Sequence, residues 1–344
     1  MWRPTCVLLM MLAVSAPGIL HASEDMVTEY ELPQKGSFPT SVKIAPNGKV
    51  WFLEFKRNML ARFDPDSLEL DEFKIPSSKS EPLDIAIDSK GIIWFSEQDS
   101  NALARFDPET QKFKEYLLPT LKSNPASVLA ASDGRIWMLG WNTDLLISFD
   151  PSSKKFAEYR IPTRNSNSYD LAEDSDGRLW FVERAANKLA MFDPKKATFK
   201  EWKITENMQS PLGLVIDSKG LVWYMRMVDN QLAAFNPETE RTKLYNAPKN
   251  KGTQEMALGP DDTIWLIQST DNRLLRFDIK AAIFQTFNIT SGNSRPNSLD
   301  VDDNGRVWFS EFKAGKIGTL DPRLAGKIEN KLKIDFTPPK DIFK

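Results

Sequence analysis

Tryptophan recurs at Trp51, Trp94, Trp137, Trp180, Trp223, Trp265 and Trp308, every 43 residues apart from one step of 42. Self-similarity at this period marks a stack of short sheets rather than one continuous core. The rest of the unit repeats with the tryptophan. A tight-turn pair precedes it: Asn47-Gly48, Lys90-Gly91, Asp133-Gly134, Asp176-Gly177, Lys219-Gly220, Asp261-Asp262 and Asn304-Gly305. Gly and Asn accept the positive φ that a hairpin connection requires. Twelve residues after the tryptophan comes Phe63, Phe106, Phe149, Phe192, Phe235, Phe277 or Leu320, followed by Asp or Asn and usually Pro. Pro cannot donate to a ladder, so this pair ends a strand.

Each unit therefore reads as four short strands. In the second unit these are Leu83–Asp88, Ile92–Glu97, Ala102–Phe106 and Lys112–Leu117. Seven such units predict an all-β fold, a seven-bladed β-propeller of four-stranded antiparallel blades. The recurring Trp and Phe are its inter-blade packing. Two segments compete to close the ring. Thr28–Pro33 (TEYELP) resembles the outer strands Lys114–Pro119 and Asp71–Pro76, and has no blade of its own. The tail Lys327–Phe336 is also strand-like; the N-terminal segment is preferred.

The ends and the composition narrow the chemistry. Arg3, an apolar run from Val7 to Ala16 and the small residues Ala22 and Ser23 have the layout of a secretory signal peptide over residues 1–22. A membrane-anchoring tail is the alternative, although the apolar run is too short to span a bilayer. Residues 23–344 then form one secreted or periplasmic propeller domain, expected to be a monomer without a membrane span. The only cysteine, Cys6, and the only histidine, His21, fall inside the leader. The mature chain thus has no disulfide, no Cys- or His-based zinc site and no Ser-His or Cys-His nucleophile. Neither haem nor a nucleotide is expected, and a net charge of −2 gives no basis for nucleic-acid binding.

The segments WFSEQDSNALARFDP (Trp94–Pro108) and WFSEFKAGKIGTLDP (Trp308–Pro322) resemble the streptogramin lyase family, the virginiamycin B lyase-like propellers. The resemblance spans the mature chain. It implies a scaffold whose active members open a cyclic depsipeptide by elimination, with a magnesium ion and a histidine base. Those histidines stand eleven residues before the blade tryptophan. The matching positions here are Thr40, Leu83, Ala126, Tyr169, Leu212, Gln254 and Asn297, so the resemblance implies a scaffold without the family's base.

A two-residue turn at each Asx-Gly pair would set the residue ten before the tryptophan opposite the residue three after it. The expected pairs are Ser41/Glu54, Asp84/Glu97, Ser127/Gly140, Asp170/Glu183, Gly213/Arg226, Glu255/Gln268 and Ser298/Glu311. Like charges facing across a ladder destabilise it, so Asp84/Glu97 and Asp170/Glu183 need a counter-charge or a shared proton. One reading makes Asp84, Asp170, Glu255, Glu97 and Glu183 oxygen ligands of Mg²⁺ or Ca²⁺ at the channel mouth. The other leaves a solvated ring, neutralised by Arg226, Lys56, Arg57, Arg184 and Lys313. Phe55, Trp141, Tyr169, Arg226 and Phe312 are the candidate ligand contacts. Three functions stay open: a propeller binding a small molecule or protein at this acidic mouth, a metal-dependent lyase or lactonase-type hydrolase with a carboxylate base, and a structural module of an envelope assembly.

Overall fold

A computed structural model of the protein describes residues 26–248 and 253–324. The leader, with Cys6 and His21, and the tail segment Lys327–Phe336 lie outside the described residues. The described chain forms seven antiparallel sheets of four strands, a seven-bladed β-propeller. Strands are lettered a to d from the innermost outward. In blade 2 they are Pro82–Ile87, Ile93–Glu97, Ala102–Asp107 and Lys112–Leu117, each within one residue of its expected bounds. Among the described residues no helix is long and apolar enough to cross a membrane.

Every sheet is apolar on both faces, so each must bury both against neighbours. The seven tryptophans sit on strand b, at most 2% exposed. Each points into the next blade, where it meets the Phe twelve residues after that blade's own tryptophan. Ring centroids are 5.7 Å apart for Trp51–Phe106, Trp94–Phe149, Trp137–Phe192 and Trp223–Phe277. Trp308 reaches Phe63 of blade 1 at 5.8 Å, so the layer runs unbroken round the ring. Trp265 alone packs where the repeat carries Leu320.

The ring is closed by the N-terminal strand. Val27–Glu31 pairs antiparallel with Lys316–Leu320 as strand d of blade 7. It also reproduces a contact that ties blades together elsewhere. A strand-d Glu accepts hydrogen bonds from the N–H and hydroxyl of a Ser or Thr in the preceding inter-blade loop. The pairs are Glu115 with Ser77 (2.8 and 2.9 Å), Glu158 with Thr120 (3.1 and 2.8 Å) and Glu201 with Thr163 (3.2 and 3.0 Å). Glu29 on the closing strand does the same to Ser291, at 2.7 and 2.5 Å. The closing strand thus ties blade 7 to blade 6 by the same bonds that tie blades 2, 3 and 4 to the blades before them.

The indole N–H groups need acceptors, because a buried unpaired donor is costly. Asp88, Asp174 and Asp217, six residues before Trp94, Trp180 and Trp223, accept at 2.9, 2.7 and 2.8 Å. Blade 3 carries Ala131 at that position, and Trp137 Nε1 is buried without a partner. Two stability changes follow. Trp137→Ala should cost about 3–5 kcal/mol, the range for emptying a large aromatic site. Ala131→Asp should stabilise by roughly 0.5–1.5 kcal/mol, the net value of a hydrogen bond. Chemical denaturation at pH 7 measures both; an Ala131→Asp protein less stable than the parent would contradict the acceptor role.

Candidate functional site

The turns place the candidate residues differently from expectation. Each a–b connection is a three-residue loop closed by paired backbone bonds, such as Asp88 N–H to Ile92 O (3.0 Å) and Gly91 N–H to Asp88 O (2.9 Å). Gly91 takes φ 74° as its last residue. The longer loop moves the register by one residue. A β-bulge near the start of strand a moves it by another: Leu83 and Asp84 together stand opposite Ser96, between the pairs Pro82↔Glu97 and Ile85↔Phe95. A register shift at this point recurs in all seven blades. Glu97 therefore faces Pro82, and Glu183 faces Ser168, rather than Asp84 and Asp170. The expected carboxylate pairs across the ladder do not form.

Asp84, Asp170 and Glu255 instead line the channel, where they tie blades together. The Asp84 carboxylate accepts from Ser41 Oγ at 2.7 Å and from the Val128 N–H of the next blade at 2.8 Å. Ser41 Oγ in turn accepts from Ile85 N–H at 3.0 Å, Ser298 Oγ accepts from Val42 N–H at 2.9 Å, and Ser298 donates to Glu255 at 3.1 Å. These inner Ser and carboxylate residues are inter-blade acceptors. Their counter-charge is Lys43, two residues along strand a from Ser41, with its Nζ 4.0 Å from Asp300. Burial in the channel opposes its charge, but Asp300, Glu255, Asp84 and Asp170 together outweigh this and hold the ammonium above its usual range. Burial raises all three acids; burial and then the Asp84 charge push Asp170 up to about 7. Sequence reasoning overlooked Lys43 because its equivalents in other blades are Ala86, Leu129, Ala172, Val215, Ala257 and Asp300, which show no pattern.

Glu54, Glu97, Glu183 and Glu311 end strand b with no surface exposed, and interact outward with strand d rather than with the channel. Three have a cation beside them. Arg57 binds Glu54 at 2.6 Å and also Glu72; Lys188 binds Glu201, the neighbour of Glu183, at 2.5 Å; Lys316 binds Glu29, the neighbour of Glu311, at 3.2 Å. Blade 2 carries Ala102 at the Lys188 and Lys316 position; like those of Glu183 and Glu311, the Glu97 oxygens have no hydrogen-bond partner, and Glu97 has no cation beside it either. Burial, then the Glu115 charge, push Glu97 up to about 8, while burial and Glu29 raise Glu311 to about 7. An acid whose folded pKa lies above its unfolded value near 4.5 binds its proton more tightly in the folded state. The folded state accordingly loses stability as pH rises from about 4.5 through 8. Thermal stability should be higher at pH 5 than at pH 8.5. Glu97→Gln should stabilise at pH 8.5 by about 1–3 kcal/mol and flatten the slope. A Glu97→Gln melting profile parallel to that of the parent would contradict the assignment.

The channel mouth is shaped by the starts of the a strands and the ends of the b strands. A cavity of about 340 Å³ opens between blades 6, 7, 1 and 2. Thr40, Leu83 and Asn297 line it from strand a, Phe55 and Phe312 follow strand b, and Arg295 and Ser269 complete it. Phe55 and Phe312, two of the five candidate ligand contacts, meet here. Trp141 and Tyr169 form an edge-on pair elsewhere on the ring, at 5.6 Å. Arg226 ends strand b of blade 5, where it binds Asp229 at 2.7 Å. Arg295 was not singled out from the sequence. The only signal it offered was its place before Pro296, at the mouth end of an a strand.

The five candidate metal ligands do not converge. Glu97 and Glu183 are turned toward strand d, while Asp84 and Glu255 are engaged by backbone N–H groups and Ser hydroxyls, with Lys43 as counter-charge. Among the described residues no group of three or more Asp, Glu, His or Cys is placed to hold a metal ion. The residues present therefore do not fit the magnesium ion that the family resemblance implies.

The fold agrees with what the chain is similar to. Residues 18–192 and 197–331 match the model of the virginiamycin B lyase family. Virginiamycin B lyase from Staphylococcus aureus superposes with a TM-score of 0.80 at 22% identity, over 86% of this chain and 98% of that one. A streptogramin B lyase structure gives 0.80 at 24% identity, over 86% and 97%. A catalytically inactive variant of the S. aureus enzyme, solved with quinupristin, gives 0.80 at 22%, over 86% and 98%. No curated protein matches the sequence. With nearly its whole propeller matched, the chain belongs to the virginiamycin B lyase family.

Proposed function

We propose that this chain is an exported propeller that binds a small organic molecule at its channel mouth and does not perform the family's histidine-dependent elimination. The observation that carries the reading is the composition of the mouth cavity. Thr40, Leu83 and Asn297 line it at three of the positions where the family resemblance places histidines. None of the three takes up a proton near neutral pH. The cavity nevertheless keeps the features of a ligand site: a volume within the range of small-molecule pockets, two aromatic walls and a few convergent polar groups. Export rests on the leader, whose cleavage leaves a chain without His or Cys.

The acidic mouth foreseen from the sequence shifts to a different reading. The carboxylates lie one residue further along the a strands and are balanced by Lys43, while the cavity itself carries Arg295. A lyase or hydrolase with a carboxylate base finds its support within the channel in Asp170, whose Oδ2 is buried without a partner. That residue is outside the cavity, next to Tyr169.

Incubating the purified protein with quinupristin and Mg²⁺ should give no linearised product above the protein-free background. A missing general base alone removes about 10²–10⁴-fold in rate. Ligands of the mouth should raise the melting temperature by mass action, and Phe55→Ala should abolish that rise. Turnover at the level of an active family enzyme would overturn the proposal, as would a melting shift that Phe55→Ala leaves intact.

A further inference from the structure

The rim of the mouth repeats one backbone conformation. The residue thirteen before the blade tryptophan has positive φ: Phe38 at 50°, Glu81 at 49°, Asn124 at 53°, Asn167 at 50°, Ser210 at 49° and Arg295 at 50°. Left-handed backbone suits Gly and is tolerated by Asn, but it is unfavourable for larger side chains. Blades 3 and 4 carry Asn at this position. Blades 7, 1 and 2 carry Arg, Phe and Glu, and these same blades supply Asn297, Thr40 and Leu83 to the cavity. At this repeat position the larger side chains among the described residues fall on the arc that frames the cavity, although Leu68, Lys79, Lys122 and Lys154 also take positive φ elsewhere.

Arg295 is the informative member. It lines the cavity with its side chain open to solvent; Arg57, Arg226 and Arg273 near this end of the ring have acidic partners, while Arg184 donates to Ser210 Oγ. Arg295 forms no ion pair among the described residues. Beside it stand the rings of Phe55 and Phe312, the latter in edge contact with Phe38 at 5.0 Å, and the amide of Asn297. An unpaired guanidinium offers two parallel N–H donors that match a carboxylate. Aromatic walls favour a flat apolar body.

We infer that the cavity selects a small aromatic carboxylate, with its anionic group on Arg295 and its ring against Phe55 and Phe312. The inference rests on the mouth being a ligand site and adds the charge class of the ligand.

N-acetyl-L-phenylalanine and N-acetyl-L-phenylalaninamide form a matched pair of probes that differ in the anionic group. Binding is measured by calorimetry and by ligand-observed NMR on the purified protein. The acid should bind at least about tenfold tighter than the amide, the equivalent of one charge-assisted contact. Arg295→Asn should remove that preference while keeping or raising the melting temperature, because Asn suits the left-handed backbone. Arg295→Lys should restore part of the preference. Equal affinity for acid and amide, lost together in Phe55→Ala, would refute the anion class and leave the mouth site standing. An acid preference unchanged in Arg295→Asn would refute the role of this arginine. Failure of both probes to bind, with quinupristin also giving no melting shift, would overturn the mouth site itself.

Discussion

The fold depends on one repeated contact, a strand-b tryptophan buried in the neighbouring blade. A four-stranded sheet that is apolar on both faces has no stable existence alone, so each blade is held by the next. Burial of each indole against an aromatic or Leu side chain supplies the energy, and Asp88, Asp174 and Asp217 satisfy the polar edge of three of them. Because the layers form a closed circuit, a gap anywhere would expose two faces. That is why the closing strand matters: Glu29 and Tyr30 repeat at the seam the bonds and stacking found at other seams, with Tyr30 4.7 Å from Phe63.

This arrangement separates structural charge from the site. The inner Ser, Asp and Glu residues accept backbone N–H groups across blade boundaries, and the strand-d glutamates do the same at the periphery. Carboxylates are good acceptors for such bonds, and burial raises their proton affinity where no cation stands close. The resulting pattern looks like a metal site in one dimension and is a set of ties in three. The residues that face the mouth carry none of this load.

Much of this was legible in the sequence, for identifiable reasons. The tryptophan period set blade number and strand order because one contact recurs unchanged. The closing strand was recognisable because Glu29 and Tyr30 do the work of Glu115 and Tyr116. Register was not legible. Asx-Gly suits both a two-residue turn and the three-residue loop observed, and the bulge at Leu83-Asp84 leaves no compositional trace. Together they displaced the pairing by two residues, enough to invent an Asp84/Glu97 repulsion. Lys43 and Arg295 were hidden for a different reason: each occurs in one blade only, so a search for repetition passes over them.

The central claim is that the channel acids hold the ring together while the mouth takes a small ligand. A crystal soaked with N-acetyl-L-phenylalanine and Mg²⁺ tests both halves at once. The account predicts the probe's ring against Phe55 and Phe312, with Asp84 still bonded to Val128 N–H and no metal among Asp84, Asp170 and Glu255. An empty mouth at saturating probe, or a metal coordinated by those three carboxylates, would contradict it.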